Sequence, residues 1–178
     1  MRTALRIAGL MALYAGFLLG AEHPYRTRWK HATFGKGAVA RVTAGAGINQ
    51  LRHSPAKYGG GITGFGKRLG AGFGTNAVNK TVEHAVAAKL HEDLDYHRSN
   101  KHGVGPRLAY ALESTVVTRT TRTGKRTPAA GRLAGHAAAG AFVQGALAAG
   151  SGAATAGVGL AVDAGANVAR EFVPRKGK

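Results

Sequence analysis

The chain has 178 residues, no cysteine, 28 glycines and a formal net charge of +17, with 25 Lys and Arg against 8 Asp and Glu. That length bounds it to one modest domain, and the missing thiols exclude disulfides and thiolate zinc sites. Alanine supplies much of the 44% hydrophobic content, so little apolar area is buried per residue, while the charge attracts nucleic acid, anionic lipid or lipopolysaccharide phosphate without choosing among them.

Arg2 and Arg6 precede an uncharged apolar stretch from Ile7 to Gly20, and Gly20-Ala21 offers small residues for cleavage before Glu22. Residues 1–21 therefore read as a signal peptide. Leu18 or Leu19 stands where a small residue is usual, three before the cut, so an uncleaved anchor stays open, although the stretch is short of the ~20 residues a span needs. Export to the periplasm or outer envelope is the expectation.

Residues 22–61 mix His, Arg, Lys, Gly and Pro without sustained periodicity and read as a flexible basic arm. Tyr25, Trp29, Phe34 and Tyr58 lie among its cations, a pattern suited to a polar membrane surface or a partner, with docking of Trp29 and Phe34 on the domain as the plainer alternative. Gly59-Gly60-Gly61 would act as a joint.

A helical domain is expected over residues 62–174. Leu69, Phe73, Ala77, Val78, Val82, Ala85, Val86, Lys89 and Leu90 follow three-and-four spacing and predict a helix from about Lys67 to His91, capped by Thr63 or Thr75. Pro106 opens a second helix, with Leu108, Ala111, Leu112, Thr115 and Val116 on its inner face. Residues 118–127 read as a basic, threonine-rich connector. Thr127-Pro128 then caps and starts a third helix, Gly150-Ser151-Gly152 breaks it, and a fourth runs from about Ala153 to Phe172 before Pro174. A basic tail, 175–178, ends the chain.

The last two helices carry a ladder of alanine and glycine at spacing four: Ala137, Ala141, Gly145, Ala149, Ala153, Gly157, Ala161, Gly165 and Ala169. Gly66, Gly70 and Gly74 repeat the theme. Residues four apart share a helix face, so these rows predict grooves where a second helix approaches closely, within the bundle or between copies. A spacing of four gains about 40° per step on a 3.6-residue period, so two helices rather than one would share the long ladder. The fold class expected is all-α, a four-helix bundle with Gly/Ala-rich close-packed faces. No charge falls between His136 and Asp163, which raises an inserted hairpin, but alanine and glycine contribute little to insertion and a soluble or peripheral bundle is favoured.

The densest polar cluster runs from His91 to His97. His84, His91, Glu92, Asp95 and His97 are of metal-ligating type, but the His-Glu-x-x-His spacing of zincins is absent, and a helix terminus with solvated loop acids is the plainer reading. Acids inside helices point instead to a structural polar network of Glu83, Arg107, Glu113, Asp163, Asn167, Arg170 and Glu171, with Asn76 and Asn79 able to join it. The glycine-rich segment 59–74 lacks the P-loop ending, no serine has an elbow signature, and no nucleic-acid-binding motif appears. No catalytic residue and no cofactor are expected.

Several strings carry a resemblance: Arg68 to Gly74, Leu90 to Asp93, Pro106 to Leu112 and Val162 to Pro174. Together they resemble a family of uncharacterised small exported proteins of bacterial envelopes over about Gly64 to Pro174. The resemblance implies location and a helical core that includes Glu83, Arg107, Asp163, Asn167, Arg170 and Glu171, and it implies no activity. At Leu94-Asp95 and Ala148-Ala149-Gly150 this chain departs from the family's pattern. The function expected is a non-enzymatic envelope-associated protein that binds anionic lipid or another envelope component. A metal-binding or hydrolytic protein using the 91–97 cluster is the alternative, and a nucleic-acid-binding protein a weaker one.

Overall fold

The computed structural model describes residues 23–173, so the expected signal peptide or anchor of 1–21 and the expected basic tail of 175–178 lie outside the described residues. The protein is predominantly helical. In chain order come α1 (His23–Phe34), α2 (Lys36–Leu51), a 3-10 turn (Ala56–Tyr58), α3 (Gly61–Leu90), α4 (Val104–Glu113), the strands β1 (Val117–Arg119) and β2 (Arg126–Pro128), α5 (Ala130–Ala141), a π turn (Phe142–Ala146) and α6 (Gly152–Phe172). Long α3 is the central element, flanked by α5, α2 and α1; α6 packs on α5, and α4 on α6. No helix among the described residues is long and apolar enough to cross a membrane.

The stretch expected to be a flexible arm is helical and docked. Trp29 and Thr33, four apart on α1, are buried, and the Trp29 indole N–H donates to Thr81 Oγ1 at 3.2 Å. Asn76 of α3 donates to the Thr33 carbonyl at 3.1 Å. On α2 the buried residues Ala38 and Ala46 continue this seam. The segment reads as mobile in sequence because its contact residues are small or polar, leaving almost no apolar stripe to detect. Trp29 docks as the plainer alternative has it, while Phe34 stays 58% exposed.

Thus α1 and α2 enlarge the expected four-helix bundle, and a hairpin interrupts it. The connector over 118–127 forms β1, a turn and β2, pairing Val117 with Pro128, Thr118 with Thr127 and Arg119 with Arg126. The turn closes with Gly124 at φ 66°, a left-handed conformation that glycine takes without steric cost. Further bonds, from Asp93 N–H to the Arg119 carbonyl and from Thr121 N–H to the His91 carbonyl, both 2.7 Å, fasten β1 to the loop after α3. Thr127 therefore lies in a strand and caps nothing; α5 begins three residues later.

The core is unusual in content. Its buried hydrophobic residues are Trp29 and a set of alanines, whereas Arg68, Asn79, Glu83, His84, Glu92, Thr115, His136, Asn167 and Glu171 are all buried. With so little large apolar side chain, helix association depends on close backbone approach and on satisfied polar groups.

Close approach occurs, but not along the predicted ladder. Ala137, Ala141, Gly145, Ala153, Gly157, Ala161, Gly165 and Ala169 are exposed, and a Cβ built at Gly145, Gly157 or Gly165 meets nothing within 4 Å. Gly66 and Gly70 are equally open. The packed face is another row. A Cβ at Gly131 would lie 2.7 Å from the Glu83 carbonyl and one at Gly135 2.8 Å from the Asn79 carbonyl, while Gly140 and Gly152 abut each other's backbone. The ladder is displaced because hydrogen-bonding side chains occupy the other face and must be turned inward.

Candidate functional site

The inner rows of three helices meet around His136. Asn79, Glu83 and Ala87 on α3, Gly131, Gly135 and Ala139 on α5, and Gly159, Asp163, Asn167 and Glu171 on α6 each recur at spacing four, so each row forms one face. Gly159 leaves room for the His136 ring, which a Cβ there would strike. Asn79 Nδ2 donates to His136 Nδ1 at 2.9 Å, so that nitrogen is the acceptor, and Nε2–H donates to Asp163 Oδ2 at 2.8 Å. This tautomer follows from the orientation of the Asn79 amide.

Cations surround the pair. Arg132 lies 3.9 Å from both Glu83 Oε1 and Asp163 Oδ2, and its Nη1 donates to the Ser114 and Thr115 carbonyls at 2.7 and 2.9 Å. Lys80 Nζ pairs with Glu83 Oε2 at 2.5 Å. Burial pushes the Asp163 carboxyl up, but the His136 hydrogen bond and the positive charges of Lys80 and Arg132 outweigh it and hold the group below its ordinary value. For His84 desolvation dominates and lowers its pKa, keeping the ring neutral with a 2.8 Å contact to the Lys80 carbonyl. With both nitrogens of His136 engaged, the dyad has no free base to offer a substrate.

A second centre closes the far end of α6. Glu171 is fully buried and accepts from Tyr96 Oη at 2.7 Å, Ser99 Oγ at 2.6 Å, Ser99 N–H at 3.1 Å and Arg107 Nε at 3.0 Å. Arg107 also donates to the Glu171 carbonyl and stacks its guanidinium 4.6 Å from the Phe172 ring centre. Desolvation raises the Glu171 pKa, yet the donors from Ser99, Tyr96 and Arg107 overcome it and set the pKa at about 2. Burial and the Glu171 charge push the Tyr96 hydroxyl above its usual range, so it remains a neutral donor.

The 91–97 cluster disperses. Glu92, 2% exposed, turns to the start of α5 and accepts from Ala130 N–H at 3.0 Å and Gly131 N–H at 2.9 Å, a carboxylate seated at a helix N-terminus. His91 takes the left-handed position that ends α3, with the Glu92 N–H returning to the Ala87 carbonyl at 2.9 Å. Asp93 accepts from His97 at 2.7 Å, and Asp95 pairs with Arg28 at 3.0 Å. Among the described residues no group of three or more His, Asp or Glu side chains is placed to hold a metal ion.

The expected polar network therefore exists as separate parts. Arg107 joins Glu171, Glu83 approaches Arg132, and Asn167 donates to Thr115 Oγ1 at 3.3 Å. Glu113 pairs on the surface with Arg126, and Arg170 is exposed. Sequence reasoning missed His136, Lys80, Tyr96 and Ser99; Asp163, Asn167 and Glu171 at spacing four in an otherwise nearly uncharged helix were the signal for an inward polar row.

Arg68 is buried as well, without a carboxylate. It donates to the carbonyls of Ser54, Pro55 and Gly59 and to Gln50 Oε1 at 2.8–3.1 Å, tying the 50–59 loop to α3. An open groove beside the hairpin, about 30 Å³ in volume, has room for one water-sized molecule and is lined by Tyr96, Tyr110, Arg119, Arg126 and Arg132 among others. Comparison with protein families, with curated proteins and with solved structures finds no match for this chain.

Proposed function

We propose that the protein is a non-enzymatic, exported component of the cell envelope that binds an anionic surface. One observation carries this reading. Every carboxylate among the described residues has a cation or N–H donor of this chain beside it, Glu83, Glu92 and Glu171 in the interior and Asp95 and Glu113 at the surface, while Lys36, Arg41, Lys67, Arg119, Arg122 and Lys125 are exposed with nothing negative beside them. The acids are taken up by partners within the chain and many of the bases face outward unpaired, so the exterior field is predominantly positive.

The apolar stretch from Ile7 to Gly20, preceded by Arg2 and Arg6, supports export. Against an enzymatic reading stand the engaged nitrogens of His136 and the dispersal of the 91–97 cluster. The test is cosedimentation with vesicles of phosphatidylcholine alone and with added phosphatidylglycerol. Binding only to the anionic vesicles, weakening as salt is raised, is expected. Equal recovery in the supernatant with both vesicle types at low salt would overturn the proposal.

A further inference from the structure

The structure assigns the contact with an anionic lipid surface to one element, the β1–β2 hairpin together with the outward row of α4; this rests on the function proposed above and names the part that acts. The hairpin is built against its own electrostatics. Arg119 and Arg126 are directly opposed across the strands, and like charges so placed repel. Glu113 pairs with Arg126 alone. Arg119 has no carboxylate partner among the described residues, and neither do Arg122 and Lys125 in the turn that follows. The other carboxylate beside the groove, Asp95, is taken by Arg28 at 3.0 Å.

The turn is held rigidly. Thr120 N–H bonds to the Lys125 carbonyl and Gly124 N–H to the Thr120 carbonyl, both at 2.9 Å, and the hydroxyls of Thr120 and Thr123 meet at 2.6 Å. Four cations are thus presented on a fixed, fastened projection, and an anionic oxygen shared between Arg119 and Arg126 removes their repulsion.

What selects a membrane over a nucleic acid lies next to the hairpin in the chain. Val104, Leu108 and Leu112 stand four apart on α4, and Val116 follows in the turn that leads into β1; they are 71%, 38%, 48% and 44% exposed. Ala111, one position before Leu112 and about 100° round the helix from it, is buried, so the contact of α4 with α6 lies beside this row. A short helix with its aliphatic row outward beside a cationic projection matches a surface that has charge at its face and hydrocarbon just beneath. A nucleic acid offers the phosphates and nothing for the aliphatic row to enter.

The experiment compares three full-length proteins on phosphatidylglycerol-containing vesicles: wild type, a triple variant R119S/R122S/K125S, and a control with the same charge removed elsewhere, K36S/R41S/K67S. A cation at an anionic bilayer contributes about fivefold, so the hairpin variant loses on the order of a hundredfold in affinity at low salt and the control far less. A fourth protein, L108S/L112S, loses binding with less change in salt dependence. Circular dichroism and melting confirm that each variant is folded. If wild type fails to bind, the function proposed above falls. If wild type binds and the hairpin and control variants weaken equally, that function stands and the assignment to the hairpin is overturned. If duplex DNA binds wild type as tightly as the vesicles do and L108S/L112S leaves vesicle binding unchanged, the lipid assignment is overturned.

Discussion

Helices α5 and α6 carry small residues on two faces, and the faces behave oppositely. On the inner side Gly131, Gly135, Gly140, Gly152 and Gly159 touch neighbouring backbone, the Gln144 side chain or the pinned ring of His136. On the outer side Gly145, Gly157 and Gly165 face open space. A spacing of four recurs on both faces, in Gly131, Gly135 and Ala139 inside and in Gly157, Ala161 and Gly165 outside, so spacing does not decide which packs. The polar residues decide it: Asp163, Asn167 and Glu171 share the inner face of α6, and their partners Arg107, Thr115 and His136 are reachable only if that face turns inward. Small residues permit contact, and the hydrogen bonds direct it.

The largest effect expected is at the polar end of that inner face. Glu171→Gln leaves Arg107 without its charge partner and costs about 3–5 kcal/mol in urea unfolding. The same group controls acid stability. Its pKa is depressed from 4.5 to about 2, so its contribution is complete above 4.5 and fades as pH falls toward 2. Wild-type stability should drop across that window, and the variant should lose that part of the slope. A flat wild-type profile there would contradict the assignment of the ionised carboxylate.

Next come the inner glycines. Gly140→Ala places a methyl against the Gly152 carbonyl and Gly135→Ala one 2.8 Å from the Asn79 carbonyl, both backbone atoms with little freedom to yield. Each is expected to cost about 1–3 kcal/mol despite alanine's better helix propensity. Unchanged denaturation midpoints would mean that the helices do not approach so closely.

Glu92→Ala removes the acceptor for two buried N–H groups at the start of α5. The expected loss is about 1–2 kcal/mol, with hydrogen exchange accelerated first at Ala130 and Gly131. The smallest effect has the other sign. Gly157→Ala and Gly165→Ala sit on the outer face, meet nothing within 4 Å, and should stabilise by about 0.5–1 kcal/mol in thermal melts. The same substitution thus separates the two faces by the sign of its effect.

Local signals in the chain were sufficient for α3, α4 and α6. The three-and-four spacing before Leu90, Pro106 near the start of α4 and the break at Gly150-Ser151-Gly152 mark them, because helix propensity and termination act over a few residues. Helices α1 and α2 were not legible, since Trp29 and Thr33 dock through single residues and hydrogen bonds rather than through an apolar stripe. Nor was the hairpin, whose Thr- and Arg-rich strands of three residues are too short to show an apolar alternation and are fastened by the loop at His91 and Asp93.

For the site, the residue types were visible and the partners were not. Glu171 and Arg107 were both expected in a polar network, without being assigned to each other, whereas the capping of α5 by Glu92 across 38 residues and the placing of His136 between Asn79 and Asp163 require the assembled chain. The sequence alone determined the charge balance, the helical character of the second half and where its helices break, because these depend on composition and on neighbours a turn apart. Only the tertiary structure decided which small-residue face is inside, since that choice is made by polar groups far apart in the chain that must find one another before they can leave water.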